Sequence, residues 1–200
     1  MIFLRTESPE RFVRAYPLTT ALLALILGVY VVSRLLIPLG LEGPLYAWGA
    51  FDLSRFVHRQ FWRPITAVFL HADFLHVLFN AFYLYLLSPP IEARVGKAGY
   101  LLFLLTADAS TTLFLLVTSS PPVIGASGIV YGFLGLYLYY IWKRAMWIDA
   151  ASRQVVLFLL LFGLVQSFIP GISFFGHVGG FLGGFFFGAL YHGGKYYPFS

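Results

Sequence analysis

Residues 173–191 read SFFGHVGGFLGGFFFGALY, with glycine at 176, 180, 184 and 188. At that interval the four lie along one side of a helix, and Gly179 and Gly183 make a second row beside them. A helix bare along one side lets another backbone come close, as helices packed inside a membrane do. A matching stretch is GASGIVYG, residues 125–132, where Gly128 and Gly132 repeat the interval and Gly135 extends it. Packing the two small-residue faces together predicts a helical bundle. It also brings Ser127, at the head of one helix, to the same depth as His177, beside the ridge of the other. Ser127 then has two readings, a nucleophile or a small residue where two helices touch.

The composition points to the same solvent. Hydrophobic residues make up 60% of the 200 and charged residues 10%, and the mean hydropathy is +0.83. No soluble domain of this size needs so much apolar surface, so the chain reads as a polytopic membrane protein. With no cysteine there is no disulfide framework, thiolate metal site or cysteine nucleophile. A net charge of +5 does not indicate nucleic acid, because the basic residues sit between apolar runs instead of in one patch. The lipid bilayer is the partner those charges fit.

Six charge-poor runs follow one another: Leu18 to Leu39, Phe74 to Leu87, Tyr100 to Val117, Gly128 to Trp142, Val155 to Ile169 and Ile172 to Tyr191. The expected organisation is a short cytoplasmic tail over 1–17, one membrane domain of six transmembrane helices over 18–192, and a C-terminal tail over 193–200. The first run is too long for a signal-peptide core and reads as a retained span. Arg5, Arg11, Arg14, Arg94, Lys97, Lys143, Arg144, Arg153 and Lys195 fall on one side if the N-terminus is cytoplasmic, with Arg55, Arg59 and Arg63 of the long first loop as the outer exception. The first loop, Gly40 to Leu70, is long and aromatic; its LYAWGAFDLSRFVHRQFW suits a partly membrane-embedded segment.

Polar side chains inside apolar runs are functional candidates, since burying them unpaired costs several kcal/mol. The second run carries HADFLHVLFN, with His71, His76 and Asn80. His76 and Asn80 are four apart on one face and can each offer a donor to one developing negative charge. The alternatives are a polar pair gluing two helices and, on thinner grounds, a metal site. His177 is the base a serine hydroxyl at Ser127 would need, and Tyr131, one turn below Ser127, could stack on its imidazole.

Depth adds a further expectation. From Ser127 to Lys143 and Arg144 is about 16 residues, or roughly 24 Å of helix against a hydrocarbon core of ~30 Å. Ser127 should lie below the outer surface, reached through non-helical SSPPVIGA around a protein-lined cavity. The free N–H groups at that helix start favour an adjacent oxyanion.

Taken together these residues resemble the rhomboid intramembrane serine proteases. The resemblance runs from Trp62 through the sixth run: FWRPITAVFLHADFLHVLFN, IEARVG, GASG and GHVGGFLGG, in that order. It implies an all-α, six-helix rhomboid-like bundle acting on transmembrane protein substrates, with no metal or cofactor. Ser127 would be the nucleophile and His177 the base, with the Ser127 N–H, His76 and Asn80 as the oxyanion hole. Tyr131 would orient His177, His71 would hold the first loop, and Gly125, Gly128 and Gly180 would support the site. Trp62 and Arg63 would be the first-loop pair, and Glu92 and Arg94 an ion-pairing set at the inner end. Phe158, Phe162 and Phe168 would flank a substrate gate on the fifth helix. By family analogy the location is a prokaryotic plasma membrane. The prolines of SPPIE depart from the family pattern, as does Asp108, which reads as a carboxyl hydrogen-bonded to Ser110, Thr111 or Thr112 or neutral through burial. Two other classes remain open: an inactive rhomboid-like binder of membrane clients, and a small transporter with these polar groups along its pathway.

Overall fold

The computed structural model describes residues 1–118 and 121–191; the tail over 193–200 with Lys195, and Ser119 and Ser120 of SSPPVIGA, lie outside them. The regular structure of the described residues is helical, apart from an isolated antiparallel bridge between Phe51 and Val123. Helix α1 (Pro9–Ala15) leads into α2 (Pro17–Leu35). The first loop folds into three short helices, α3 (Glu42–Gly49), α4 (Leu53–Val57) and α5 (Arg63–Ala67). Then come α6 (Phe74–Val117), α7 (Ser127–Trp142), α8 (Ala150–Gln166) and α9 (Phe174–Leu190).

Helix α6 is two limbs joined at Gly96, whose φ of 72° and ψ of 171° suit glycine alone. Its first limb was expected to end at Leu87, before the two prolines. Instead it runs through Pro89 and Pro90 to the bend, with Ser88, Pro89 and Pro90 all buried. Proline removes helical hydrogen bonds, yet a helix packed on all sides tolerates it; beside the prolines the Tyr137 hydroxyl of α7 donates to the Leu87 carbonyl at 2.8 Å, pinning this limb to α7. Helix α8 begins at Ala150 instead of Val155, because Asp149 caps it by accepting from the Ser152 N–H. The Ser152 hydroxyl and N–H hold the Asp149 carboxyl well below its ordinary range.

Counting the two limbs of α6 separately, the described residues hold six apolar helical segments. By length and composition α2 and α6 could cross a membrane, while α7, α8 and α9 are shorter apolar helices. Large hydrophobic side chains stand exposed along α2, α6 and α8, among them Leu25, Val31, Phe82, Leu105, Phe158 and Leu161. A water-facing surface rarely carries so wide an apolar belt.

Helix α7 is at the centre: every residue from Gly128 to Tyr137 is buried, as expected of a helix apolar on all sides. Its most extensive contact is with α9. A Cβ placed on Gly180 or Gly184 would fall inside the carbonyl of Gly128 or Gly132, and one on Gly135 would meet the Phe181 carbonyl. The backbones therefore touch directly. The second glycine row of α9 faces α6, where the Ser110 hydroxyl donates to the Gly179 carbonyl at 2.7 Å.

Glu92 and Arg94 act differently from the ion-pairing set expected of them. Glu92 is buried and accepts the Leu18 and Thr19 N–H groups at 2.9 and 2.8 Å, closing the start of α2. Arg94 lies over the Tyr140 and Trp147 rings at 5.3 and 4.8 Å. Two residues apart on one helix, the pair do not face each other. The first-loop pair splits likewise. Trp62 stacks on Trp48 with centroids 6.0 Å apart. The Arg63 guanidinium is buried and donates to the Ala50 and Ala47 carbonyls at 2.6 and 2.9 Å, tying α5 to the end of α3.

Candidate active site

Ser127 is the first residue of α7, so its N–H is among those a helix leaves without an internal partner. His177 stands in the first turn of α9, which Ser173 caps by accepting the Gly176 N–H. The backbone contact of the two helices brings the Ser127 hydroxyl to 3.0 Å from His177 Nε2. That is the reach a hydroxyl needs to pass its proton to an imidazole. Tyr131 lies flat on the His177 ring, with centroids 3.9 Å apart and planes 12° from parallel. The glycines beneath make this approach possible: Gly180 sits against the Gly128 backbone, and Gly128 in turn leaves room for the Thr111 side chain of α6.

On the facing side, Asp73 caps α6 by accepting the His76 N–H at 2.9 Å, setting where that helix and its imidazole start. Asn80, one turn on, is buried and donates to the His76 carbonyl at 2.8 Å, which occupies one of its two amide protons. Gly125 has a φ of 111°, and a Cβ there would fall 2.5 Å from His76 Nε2. No other residue both adopts that backbone and leaves the imidazole its place.

His71 is fully buried next to His76, with ring centroids 4.8 Å apart. Its Nε2 accepts the Ala126 N–H at 3.4 Å, so Nδ1 carries the proton, 3.4 Å from the Phe69 carbonyl. Its own carbonyl accepts from the Tyr46 hydroxyl of α3. His71 thus joins the first loop to the residue just before Ser127. The Gly125 N–H, which donates to the Ala67 carbonyl at 2.8 Å, makes a second such tie.

Ser127, Tyr131, His177, His76 and Asn80 line one cavity of about 590 Å³, together with Gln166, Pro170 and Ile172 among others. Asp108 is not among its lining residues. The Ser110 and Thr111 hydroxyls expected to bind Asp108 donate elsewhere, to the Gly179 and Ala107 carbonyls.

One residue that the sequence reading passed over stands behind the imidazole. Ser167, at the end of α8, lies 2.7 Å from His177 Nδ1 and 2.8 Å from the Tyr131 hydroxyl. The sequence carried a signal for it. Gly163 and Ser167 are a pair of small residues at four-residue spacing inside the fifth apolar run.

The Rhomboid domain family model matches residues 58–194. The chain is similar to the putative rhomboid protease YdcA of Bacillus subtilis (strain 168), 32% identical over 194 residues that cover 92% of this chain and 93% of that protein. It is similar to the rhomboid protease GluP of the same organism, 32% identical over 146 residues, 71% of this chain and 28% of that one. It is also similar to the rhomboid protease GlpG of Klebsiella pneumoniae (strain 342), 28% identical over 163 residues, 81% of this chain and 56% of that one.

Proposed function

The chain belongs to the rhomboid family, and from that premise we propose that it is an intramembrane serine endopeptidase cutting other membrane proteins in or near a transmembrane segment. The observation that carries the reading is the 3.0 Å contact of Ser127 Oγ with His177 Nε2 at the wall of a cavity that His76 and Asn80 share.

In this reading the six apolar segments cross a plasma membrane, with the N-terminus cytoplasmic and the cavity opening outward. The 16 residues of α7 rise about 24 Å, less than a hydrocarbon core of ~30 Å, so its first residue lies below the outer surface. A substrate helix hides its carbonyls in its own hydrogen bonds and must unwind before one reaches Ser127. Cut sites therefore carry small or helix-breaking residues. Helix α8, with Phe158 exposed, Phe162 stacked on Phe158 and Phe168 exposed just past its end, is the side by which the substrate enters.

The chemistry is acyl transfer. Ser127 Oγ attacks the scissile carbonyl while His177 Nε2 takes the hydroxyl proton. The Ser127 N–H, the His76 imidazole and the remaining Asn80 N–H surround the oxyanion. His177 returns its proton to the leaving amine. A water, deprotonated in turn by His177, hydrolyses the Ser127 ester.

The test is reaction with a fluorophosphonate probe in detergent or liposomes, together with mass spectrometry of products from a panel of single-span membrane proteins. Labelling at Ser127 and discrete cleavage near a span support the reading. A folded protein that neither labels nor cuts is the client-binding relative instead. His76→Ala and Asn80→Ala are each expected to lower kcat by about 10²-fold, the usual loss for one oxyanion donor. KM should move little, because the donors act on charge that develops only in the transition state.

A further inference from the structure

We propose that Ser167 is a positioning residue for the histidine, a neutral stand-in for the carboxylate that completes other serine protease triads. This rests on the reading of Ser127 and His177 as the catalytic pair.

The case is one of hydrogen-bond accounting. A serine hydroxyl has one proton to donate and two lone pairs to accept with. Ser167 is buried, and three partners stand around its Oγ: the Gly163 carbonyl at 2.9 Å, His177 Nδ1 at 2.7 Å and the Tyr131 hydroxyl at 2.8 Å. The Gly163 carbonyl can only accept, so it takes the Ser167 proton. The two lone pairs then receive Tyr131 O–H and His177 Nδ1–H, and all three contacts are made. Were Ser167 to donate to Nδ1 instead, the Gly163 contact would be lost. The saturated arrangement therefore favours the tautomer with its proton on Nδ1.

That tautomer is the productive one. With the proton on Nδ1, Nε2 presents a lone pair to the Ser127 hydroxyl 3.0 Å away. In the attack, the Ser127 O–H bond breaks and its proton moves to Nε2. Nδ1–H stays bonded to Ser167 Oγ throughout, since a hydroxyl is far too weak a base to take it. The imidazolium that forms is thus held by a dipole in place of a charge. The same hydroxyl fixes the ring's tilt, and Tyr131 is held twice, by its stacking on His177 and by its bond to Ser167. Gly163 completes the arrangement: a Cβ there would fall 2.8 Å from the Tyr131 hydroxyl oxygen.

The experiment compares the wild-type protein, Ser167→Ala and Ser167→Thr in one detergent. It measures cleavage of a single-span reporter substrate, fluorophosphonate labelling, and ¹⁵N NMR of histidine-labelled protein. Ser167→Ala is expected to lower kcat about three- to tenfold, the factor one neutral hydrogen bond supports, with KM unchanged. The His177 ¹⁵N resonances should move from the Nδ1–H pattern toward a tautomer mixture. Ser167→Thr keeps a hydroxyl able to bond the carbonyl four residues back and should restore both readouts to within about twofold. Wild-type kcat with unmoved ¹⁵N shifts in Ser167→Ala overturns the proposal, and so does a threonine variant no better than alanine. A wild-type protein that neither cuts nor labels overturns the protease reading itself. The nitrogen spectra then still decide separately whether Ser167 sets the tautomer.

Discussion

Ser127→Ala is expected to lower cleavage of a membrane substrate by at least about 10³-fold while the protein still folds, and His177→Ala to cost about as much. A hydroxyl without a base is a poor nucleophile, and a base without the hydroxyl has nothing to activate, so the two act as a unit. The double variant should therefore be no worse than either single one. Steady-state cleavage of one reporter by the three variants, with Tm as the check on folding, reads this directly. Multiplying losses in the double variant would mean that the two side chains work independently. Ordinary turnover in Ser127→Ala would place the chemistry elsewhere.

Gly180→Ala is the second large effect. Its new methyl group would fall inside the carbonyl of Gly128, and that neighbour is backbone, with no rotamer by which to step aside. The helices must part instead, at an overpacking cost of about 1–3 kcal/mol. Separation also moves His177 away from Ser127, and a misplacement of about 1 Å is worth roughly 10²-fold in rate. Thermal unfolding and kcat should therefore fall together. Gly28→Ala serves as the control: a Cβ at Gly28 meets nothing within 4 Å, so this variant should retain both. Full activity in Gly180→Ala would show that the crossing of α7 and α9 does not set the site.

The elements legible in the sequence were those whose signal is periodic. The glycine interval of α9 and its match in α7 gave the crossing that the structure contains, and the spacing of His76 and Asn80 gave a shared face. What escaped was settled by single polar contacts between distant segments. The apolar run ends at Leu87, yet the helix continues through the buried Pro89 and Pro90 to Gly96. The resemblance implied an ion-pairing set in Glu92 and Arg94, whereas one closes the first turn of α2 and the other lies over two aromatic rings. Asp149 moved the start of α8 forward because hydropathy does not register a cap. Ser167 carried only a faint small-residue signal, and its contact with His177 depends on how α8 ends against α9.

The direct meeting of α7 and α9 has a bearing on how the site responds to its lipid. Where side chains separate two helices, a thinner or thicker bilayer can slide one past the other by trading rotamers. Here the carbonyls of Gly128 and Gly132 rest on the backbone of Gly180 and Gly184, leaving no such slack. A change in bilayer thickness must tilt α7 and α9 as one rigid body, carrying Ser127 and His177 with it. Helix α8, which holds α7 far less extensively and turns Phe158 and Leu161 outward, has freedom the other two lack. Lipid composition is thus expected to govern the passage of substrate to the cavity well before it alters the spacing of the reacting atoms.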